Sequence, residues 1–358
     1  LAAPADIARV AAESPPADVP RPWLDPLPAV VPFADLPPAA EGLVFGLLDL
    51  PAEQRQPPAV LAARDGHLLV LGAPGAGSTT ALATLAAAAG ASAHWLPGDP
   101  VRLWAALADP GAIPDGALLL ADDLDLVLAR CGPDHAVELV DLVARTLREA
   151  PGRGIRVVAS ARRLGPPLLS LAPQFGARLL LRLASREEHV LAGGDGSTFD
   201  PRAHAGSGTW HGAVVQVAVA PTEPRRALEV PDPVRVDVPA RGELAVVAAR
   251  PREFAERWDP RRVRVVRLGE PDDGGVSVDP GRTVLLGDPD AWQADWATLT
   301  RARRDLPIVV AGCGVADVRA LTRSRETPPP LAPGEVWLVE HGRIRRAVLA
   351  AGDGSAAG

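Results

Sequence analysis

The chain is 358 residues long, 47% hydrophobic and 23% charged, with a formal net charge of −7 and a pI near 5.6. That acidity excludes a global attraction to nucleic acid, while leaving room for a local basic patch. No apolar run approaches the ~18–20 residues of a membrane-spanning helix, and no basic stretch followed by an apolar core marks a signal peptide at the N-terminus.

The length suits two or three domains. Cys131 and Cys313 are far apart in sequence, which predicts unpaired thiols in a cytosolic protein rather than a disulfide framework. Lys, Asn, Tyr and Met are absent and all 37 basic residues are Arg, the bias of a GC-rich genome. The first residue is Leu1, so a fragment or a processed chain is expected.

Residues 1–41 are rich in Pro and Ala. Proline fixes φ and removes donors, so 21–38 cannot form a regular helix. The stretch reads as an extended arm with Trp23, Leu27 and Phe33 as anchors; the alternative is a disordered linker. GLVFGLLDLPAEQRQPPAVLAARDGHLLVLG (42–72) reads as two strands around a proline-broken connection.

The chain is organised around residues 67–90, HLLVLGAPGAGSTTALATLAAAAG. An apolar strand (68–71) enters a glycine-rich turn and then an Ala/Leu helix without internal proline. The P-loop pattern is G-x-x-x-x-G-K-[ST]. Here it reads Gly72-Ala73-Pro74-Gly75-Ala76-Gly77-Ser78-Thr79, followed by Thr80, and every position fits except the lysine, which is Ser78. Gly72, Gly75 and Gly77 permit positive φ and close backbone approach, so N–H groups can turn toward an anion. The helix adds its positive end at the same point. Thr79 offers a hydroxyl to Mg²⁺. The missing ammonium is one charge-assisted hydrogen bond of roughly 1.5–3 kcal/mol, or about 10- to 100-fold in phosphate affinity. Catalysis would lose more, because that ammonium also neutralises transition-state charge. The bland alternative is a glycine-rich turn with no ligand.

A helix is predicted over 101–108. GALLLADDLDLVL (116–128) contains a strand buried on both faces that ends in Asp122-Asp123. This is the Walker B pattern: Asp122 would hold Mg²⁺ through water. Asp123 stands where a Glu usually polarises the attacking water, and it is one methylene shorter. The alternative is a solvated strand end whose two acids cap the next helix. HAVELVDLVARTLREA (135–150) has an apolar stripe at helical spacing, and GIRVVASARR (154–163) is another buried strand. The histidines are scattered singly, without metal-ligand spacing. His135, His189, His204 and His211 read as surface or packing residues.

The run GLLDLPAEQRQ, a spacer and DGHLLVLGAPGAG resembles the entry to FtsK/SpoIIIE-type ATPase modules. It is most similar to the second and third modules of EccC/EssC, the type VII secretion motor ATPases. Those carry a GLvDdPeeQ segment before a GhLLvvGapGSGKST loop. Residues 166–193 and 211–220 resemble the family's closing segment and its terminal g..vQva strand, so the likeness spans one module over 42–220. In the family the strand after Walker B carries a polar sensor, often Thr-x-Arg, and Ser160 and Arg162 are the matching positions; the alternative is a surface Arg pair. The resemblance implies an α/β fold of RecA-like P-loop NTPase type, with a parallel, helix-flanked sheet. It implies ATP and Mg²⁺, with Thr79 and Asp122 as metal residues and Asp123, Ser160 and Arg162 as catalytic ones. It further implies a homo-oligomer, usually a hexameric ring, in a cytoplasmic assembly anchored to the membrane through parts outside this chain. Arg145, Arg148 and Arg153 are candidates for an arginine finger.

Residues 221–358 begin with a Pro/Arg-rich joint and then alternate strands with helices, which argues for a second parallel sheet. Asp288 and Asp290 end one strand, and two closing strands flank His341-Gly342. The order mirrors the first module from its post-loop strand onward, with no P-loop pattern. This half therefore reads as a smaller, truncated and degenerate FtsK-like α/β module, or as an unrelated small α/β domain. Three functions follow. One is an ATP-binding module of an EccC-like protein-secretion translocase with weak or no hydrolysis, whose partner is a secreted protein. The second is an FtsK-type translocase acting on double-stranded DNA. The third is an interaction scaffold that has lost ATP, with Trp210, Trp292, Trp296 and Trp337 as docking anchors or, more simply, core residues.

Overall fold

The computed structural model describes residues 24–221, 224–270 and 281–350. The described part of the proline-rich arm, from residue 24, contributes a short strand, β1 (Val31–Pro32), followed by a single 3-10 turn over Phe33–Asp35. Val31 is buried, Leu27 and Phe33 are half-buried, and Trp23 lies outside the described residues. Three strands follow where two were expected: β2 (Leu43–Asp49), β3 (Pro58–Leu61) and β4 (Leu68–Leu71). β3 is at the sheet edge and begins with Pro58. An edge strand tolerates proline at its first residue, so the residue that reads as a breaker is a strand start.

The loop after β4 enters α1 (Ser78–Ala89), then β5 (Ala93–Trp95) and α2 (Pro100–Ala108). Asp99 caps α2 by accepting the Arg102 N–H, with Pro100 in the first turn. Next come β6 (Leu118–Ala121), α3 (Leu124–Ala129), α4 (Pro133–Glu149) and β7 (Arg156–Ala161). The segment closes with α5 (Pro166–Leu171), β8 (Ala177–Leu181), α6 (Arg186–Leu191), β9 (Ser207–Trp210) and β10 (Ala213–Val219).

The sheet order is β3-β2-β10-β9-β8-β4-β7-β6-β5, with β1 beside β10. The run β8-β4-β7-β6-β5 is parallel, and β9, β10, β2 and β3 extend it antiparallel. Side chains alternate across a strand, and here the alternation divides two cores. Leu68, Val70, Leu118, Leu120 and Val158 face α1, whereas Leu69, Leu71, Leu119, Val157 and Ala159 face α2 to α5. The alanines of α1 let it lie close to the sheet, and Thr84 Oγ1 donates to Ala218 O at 2.6 Å.

The second sheet contains β11 (Val234–Val236), β12 (Gly242–Ala248), α7 (Pro251–Ala255), β13 (Arg264–Arg267) and β14 (Arg282–Gly287). It continues with α8 (Pro289–Ala294), α9 (Trp296–Asp305), β15 (Ile308–Ala311), α10 (Val315–Thr322), β16 (Val336–Glu340) and β17 (Arg343–Leu349). The order is β11-β17-β16-β15-β12-β14-β13, parallel from β15 to β13. This half does not begin at a post-loop strand. β12 lies between two parallel neighbours and leads into a helix, as β4 does. Trp210, Trp292 and Trp337 are core residues, and only Trp296 of the four is exposed. Asp288 accepts the Ala291 N–H at 2.7 Å and so caps α8.

Candidate nucleotide site

The site lies at the C-terminal ends of β4, β6 and β7. Crevices outside the carboxyl ends of parallel strands are where open α/β sheets hold ligands. Between β4 and α1, Ala76 N–H donates to Ala73 O, Ala73 N–H to Arg182 O and Gly206 N–H to Ala76 O, at 2.8–2.9 Å. These bonds fix the loop's shape. The N–H groups of Gly75, Gly77, Ser78, Thr79 and Thr80 have no backbone acceptor among the described residues. They are the orphan donors that a helix start offers to an anion.

Gly77 has φ +101°, and a Cβ there would lie 2.8 Å from Gly206 N. A Cβ on Gly72 would lie 2.8 Å from Ser78 Oγ. At Gly77 only glycine fits, whereas at Gly72 a Cβ would crowd the Ser78 hydroxyl. Ser78 Oγ turns back toward Gly72, buried and without a hydrogen-bond partner among the described residues. The loop, Thr79, Thr80, Asp123, Arg162 and Ala205 line a cleft of about 410 Å³. The Ala76 side chain is in the core behind it. An orphaned buried hydroxyl, free N–H groups and a glycine-shaped cradle fit a phosphate chain.

Behind the cleft a polar network joins three elements. Ser160 Oγ donates to Asp122 Oδ1 at 2.7 Å and accepts the Asp123 N–H at 2.8 Å. Thr79 Oγ1 donates to Asp122 Oδ2 at 3.0 Å. Ser160 is fully buried, so it holds the acidic pair in place from behind and does not line the cleft. Asp123 has φ +49°, an uncommon conformation for a residue with a Cβ, and its carboxylate faces Arg162 at 3.6 Å. Arg162 N–H donates to Asp125 Oδ2 at 3.2 Å, while burial pushes the Asp125 carboxyl up. Thr79 and Asp122 come together as the candidate metal donors. Among the described residues no group of three His, Cys, Asp or Glu could hold a metal.

Asp125 and Arg225 were not singled out from the sequence. Arg225 Nη2 lies 3.5 Å from Asp122 Oδ2. The only signal for it is an arginine pair in a proline-rich joint, which carries no register. Of the finger candidates, Arg153 is tied down by Asp115 and by the carbonyls of Pro110 and Ile113, whereas Arg145 and Arg148 are exposed.

No protein family matches the sequence of the chain, and no curated protein matches it. Solved structures do match. The cytoplasmic domain of the type VII secretion ATPase EccC from Thermomonospora curvata aligns over 93% of this chain at 14% identity, with a TM-score of 0.54. This chain spans 64% of that one. EccC ATPases 2 and 3 of the same organism, in complex with a signal-sequence peptide, align over 92% of this chain and 99% of theirs, at 14% identity and a TM-score of 0.51. The chain is built on the P-loop ATPase fold of the EccC cytoplasmic domains.

Proposed function

We propose that residues 42–220 form an ATP-binding module of an FtsK/SpoIIIE-type translocase of the EccC class, and that residues 221–358 are a degenerate copy without a P-loop. The observation that carries this is the convergence of the loop's free N–H groups with Thr79 and Asp122 at one cleft. ATP acts there as a structural or regulatory ligand more than as a fuel. The loop has no ammonium, Asp123 is short and paired with Arg162, and the Ser160 hydroxyl is spent on Asp122 and Asp123. Thr79 and Asp122 are the positions the family resemblance assigns to Mg²⁺, and here they are engaged with each other.

The partner class follows from likeness. One similar structure holds a signal-sequence peptide, which supports a secreted protein as the substrate class of the assembly. The family resemblance adds a homo-oligomer. No helix among the described residues is long and apolar enough to cross a membrane. Anchorage at the cytoplasmic face of a membrane would therefore come from another part of the assembly.

The test is calorimetry and thermal melting with ATP on the parent and on Ser78→Lys. ATP at 100 times its Kd stabilises the fold by about 2.7 kcal/mol. Restored lysine tightens binding about 10- to 100-fold. Phosphate release by the parent is slow or at the no-enzyme background. Absence of binding by both proteins at millimolar ATP would sink the reading and leave an interaction scaffold.

A further inference from the structure

The phosphate loop has no cation of its own, and Arg162, which lines its cleft, is turned to Asp123 at 3.6 Å. A second guanidinium stands at the cleft's border. The segment after β10 wraps the edge of the first sheet. Trp95 N–H donates to Arg226 O and Leu228 N–H to Trp95 O, both at 2.8 Å, so this segment runs parallel beside β5. Leu228 is buried in the core shared with α2 and α4, and Arg226 Nη1 donates to Ala91 O at 2.8 Å. These anchors deliver Arg225. Its guanidinium carbon lies 4.1 Å from the centroid of the Trp95 ring, and its Nη2 lies 3.5 Å from Asp122 Oδ2. Arg225 lines a groove of about 340 Å³ that meets the phosphate cleft at Thr79 and Thr80, which border both.

A divalent ion in a P-loop site neutralises the phosphates and the acid that faces them. At this site the acid is already matched. Asp122 receives the hydroxyls of Thr79 and Ser160 and faces Arg225. An ion held between Thr79 and Asp122 would meet a like charge stacked on an indole. Arginine carries five N–H donors in a planar fork, so a guanidinium turned partly to Asp122 keeps donors for a phosphate oxygen. The donor set therefore fits a phosphate chain and disagrees with a divalent metal.

We propose that Arg225 is the resident cation of this site, and that the cleft takes the triphosphate of a nucleotide without a divalent metal. The inference rests on the nucleotide reading above. It is tested by titrating ATP into the full chain by calorimetry, once in EDTA and once in millimolar Mg²⁺, with the parent, Arg225→Gln and Arg225→Lys. The parent binds with about the same affinity in both buffers. Arg225→Gln loses about 10- to 100-fold in EDTA, the weight of one charge-assisted contact. It recovers part of that loss in Mg²⁺, because Thr79 and Asp122 are then open to the ion. Arg225→Lys keeps the charge and most of the EDTA affinity. Arg225 is half exposed, so the melting temperatures of the ligand-free variants match the parent's. A parent that binds ATP only with Mg²⁺, or an Arg225→Gln variant that binds as well as the parent in EDTA, overturns this inference and leaves the nucleotide reading standing. A parent that binds in neither buffer overturns both.

Discussion

Six residues, Gly72 to Gly77, separate β4 from α1, and two, Ala249 and Arg250, separate β12 from α7. Both strands are central, both lie between parallel neighbours, and both lead into a helix. Six residues with three glycines can turn successive N–H groups inward. Two residues can only turn the chain. Two further parallel strands show the same contrast, although β7 separates β6 from β4 while β14 pairs directly with β12. Asp122 after β6 faces the hydroxyls of Thr79 and Ser160, whereas Asp288 after β14 is spent as a helix cap. Buried polar residues follow suit. Asp65, His67, Thr84, His94, Ser160, His189 and Gln216 all belong to the first unit. The nearest counterpart in the second is the Glu335–Arg346 pair, with Arg346 Nε donating at 2.9 Å. A helix-flanked parallel sheet thus carries a six-residue glycine-rich loop in one unit and a two-residue turn in the other. Hydrophobic alternation builds the architecture, and the loop with its polar backing builds the site.

The largest expected effect separates the two units. Trp292 is fully buried in the second and donates its Nε1–H to Val246 O at 2.9 Å. Trp292→Ala should cost about 3–5 kcal/mol in denaturant melts. It should leave the ATP-dependent stabilisation of the first unit intact; loss of that stabilisation would show that the two are one cooperative body.

Glycines sharpen the comparison at the turns. Gly77→Ala meets both a positive φ and the Gly206 backbone, and should cost about 2–3 kcal/mol while abolishing ATP binding. Gly312 in the second unit also has positive φ, but a Cβ there would sit 3.7 Å from Ala249 Cβ, ordinary contact. Gly312→Ala should cost about 1 kcal/mol. Equal costs in urea melts would remove the special status of the first loop.

Ser160→Ala leaves the Asp123 N–H and one Asp122 oxygen without their buried partner, a loss of about 1–3 kcal/mol. ATP affinity, read by calorimetry, should fall as Asp122 and Asp123 loosen. Unchanged affinity would place the acidic pair outside the site.

The smallest effect is on pH dependence. His67 Nε2–H donates to Leu147 O at 2.8 Å and Nδ1 accepts the Val157 N–H at 3.0 Å, so the ring is neutral with both nitrogens engaged. Burial holds its pKa below the ordinary 6.5. Between the folded value and 6.5 the unfolded chain binds more protons, so stability is full above that window and is lost as pH falls through it. Stability measured against pH should decline below about 6.5, and His67→Gln should make the decline shallower without removing it, because burial also lowers the pKa values of His94, His135 and His189. A parent profile without slope there would mean the ring is protonated in the fold.

Much of this was legible in the residues because the signals are local. Strands of consecutive apolar residues such as Leu68–Leu71 and Leu118–Ala121 declare burial on both faces, and α4 declares its stripe. The turn from Gly72 to Thr79 carries its chemistry within eight positions, including the missing lysine. β3, β11 and β13 were not legible, since short edge strands owe their state to a neighbour's backbone rather than to their own pattern.

By itself, then, the sequence determined that strand, glycine-rich loop and helix meet in one turn, and that two acids end a buried strand nearby. Only the tertiary structure decided that Ala76 points into the core, that Ser160 reaches back 38 residues to Asp122, and that the joint returns Arg225 to the same carboxylate. A glycine's freedom or a helix's stripe is a property of neighbours in the chain. The partner of a hydroxyl or a guanidinium is a property of the sheet order, which brings strand ends together only after the whole unit has closed.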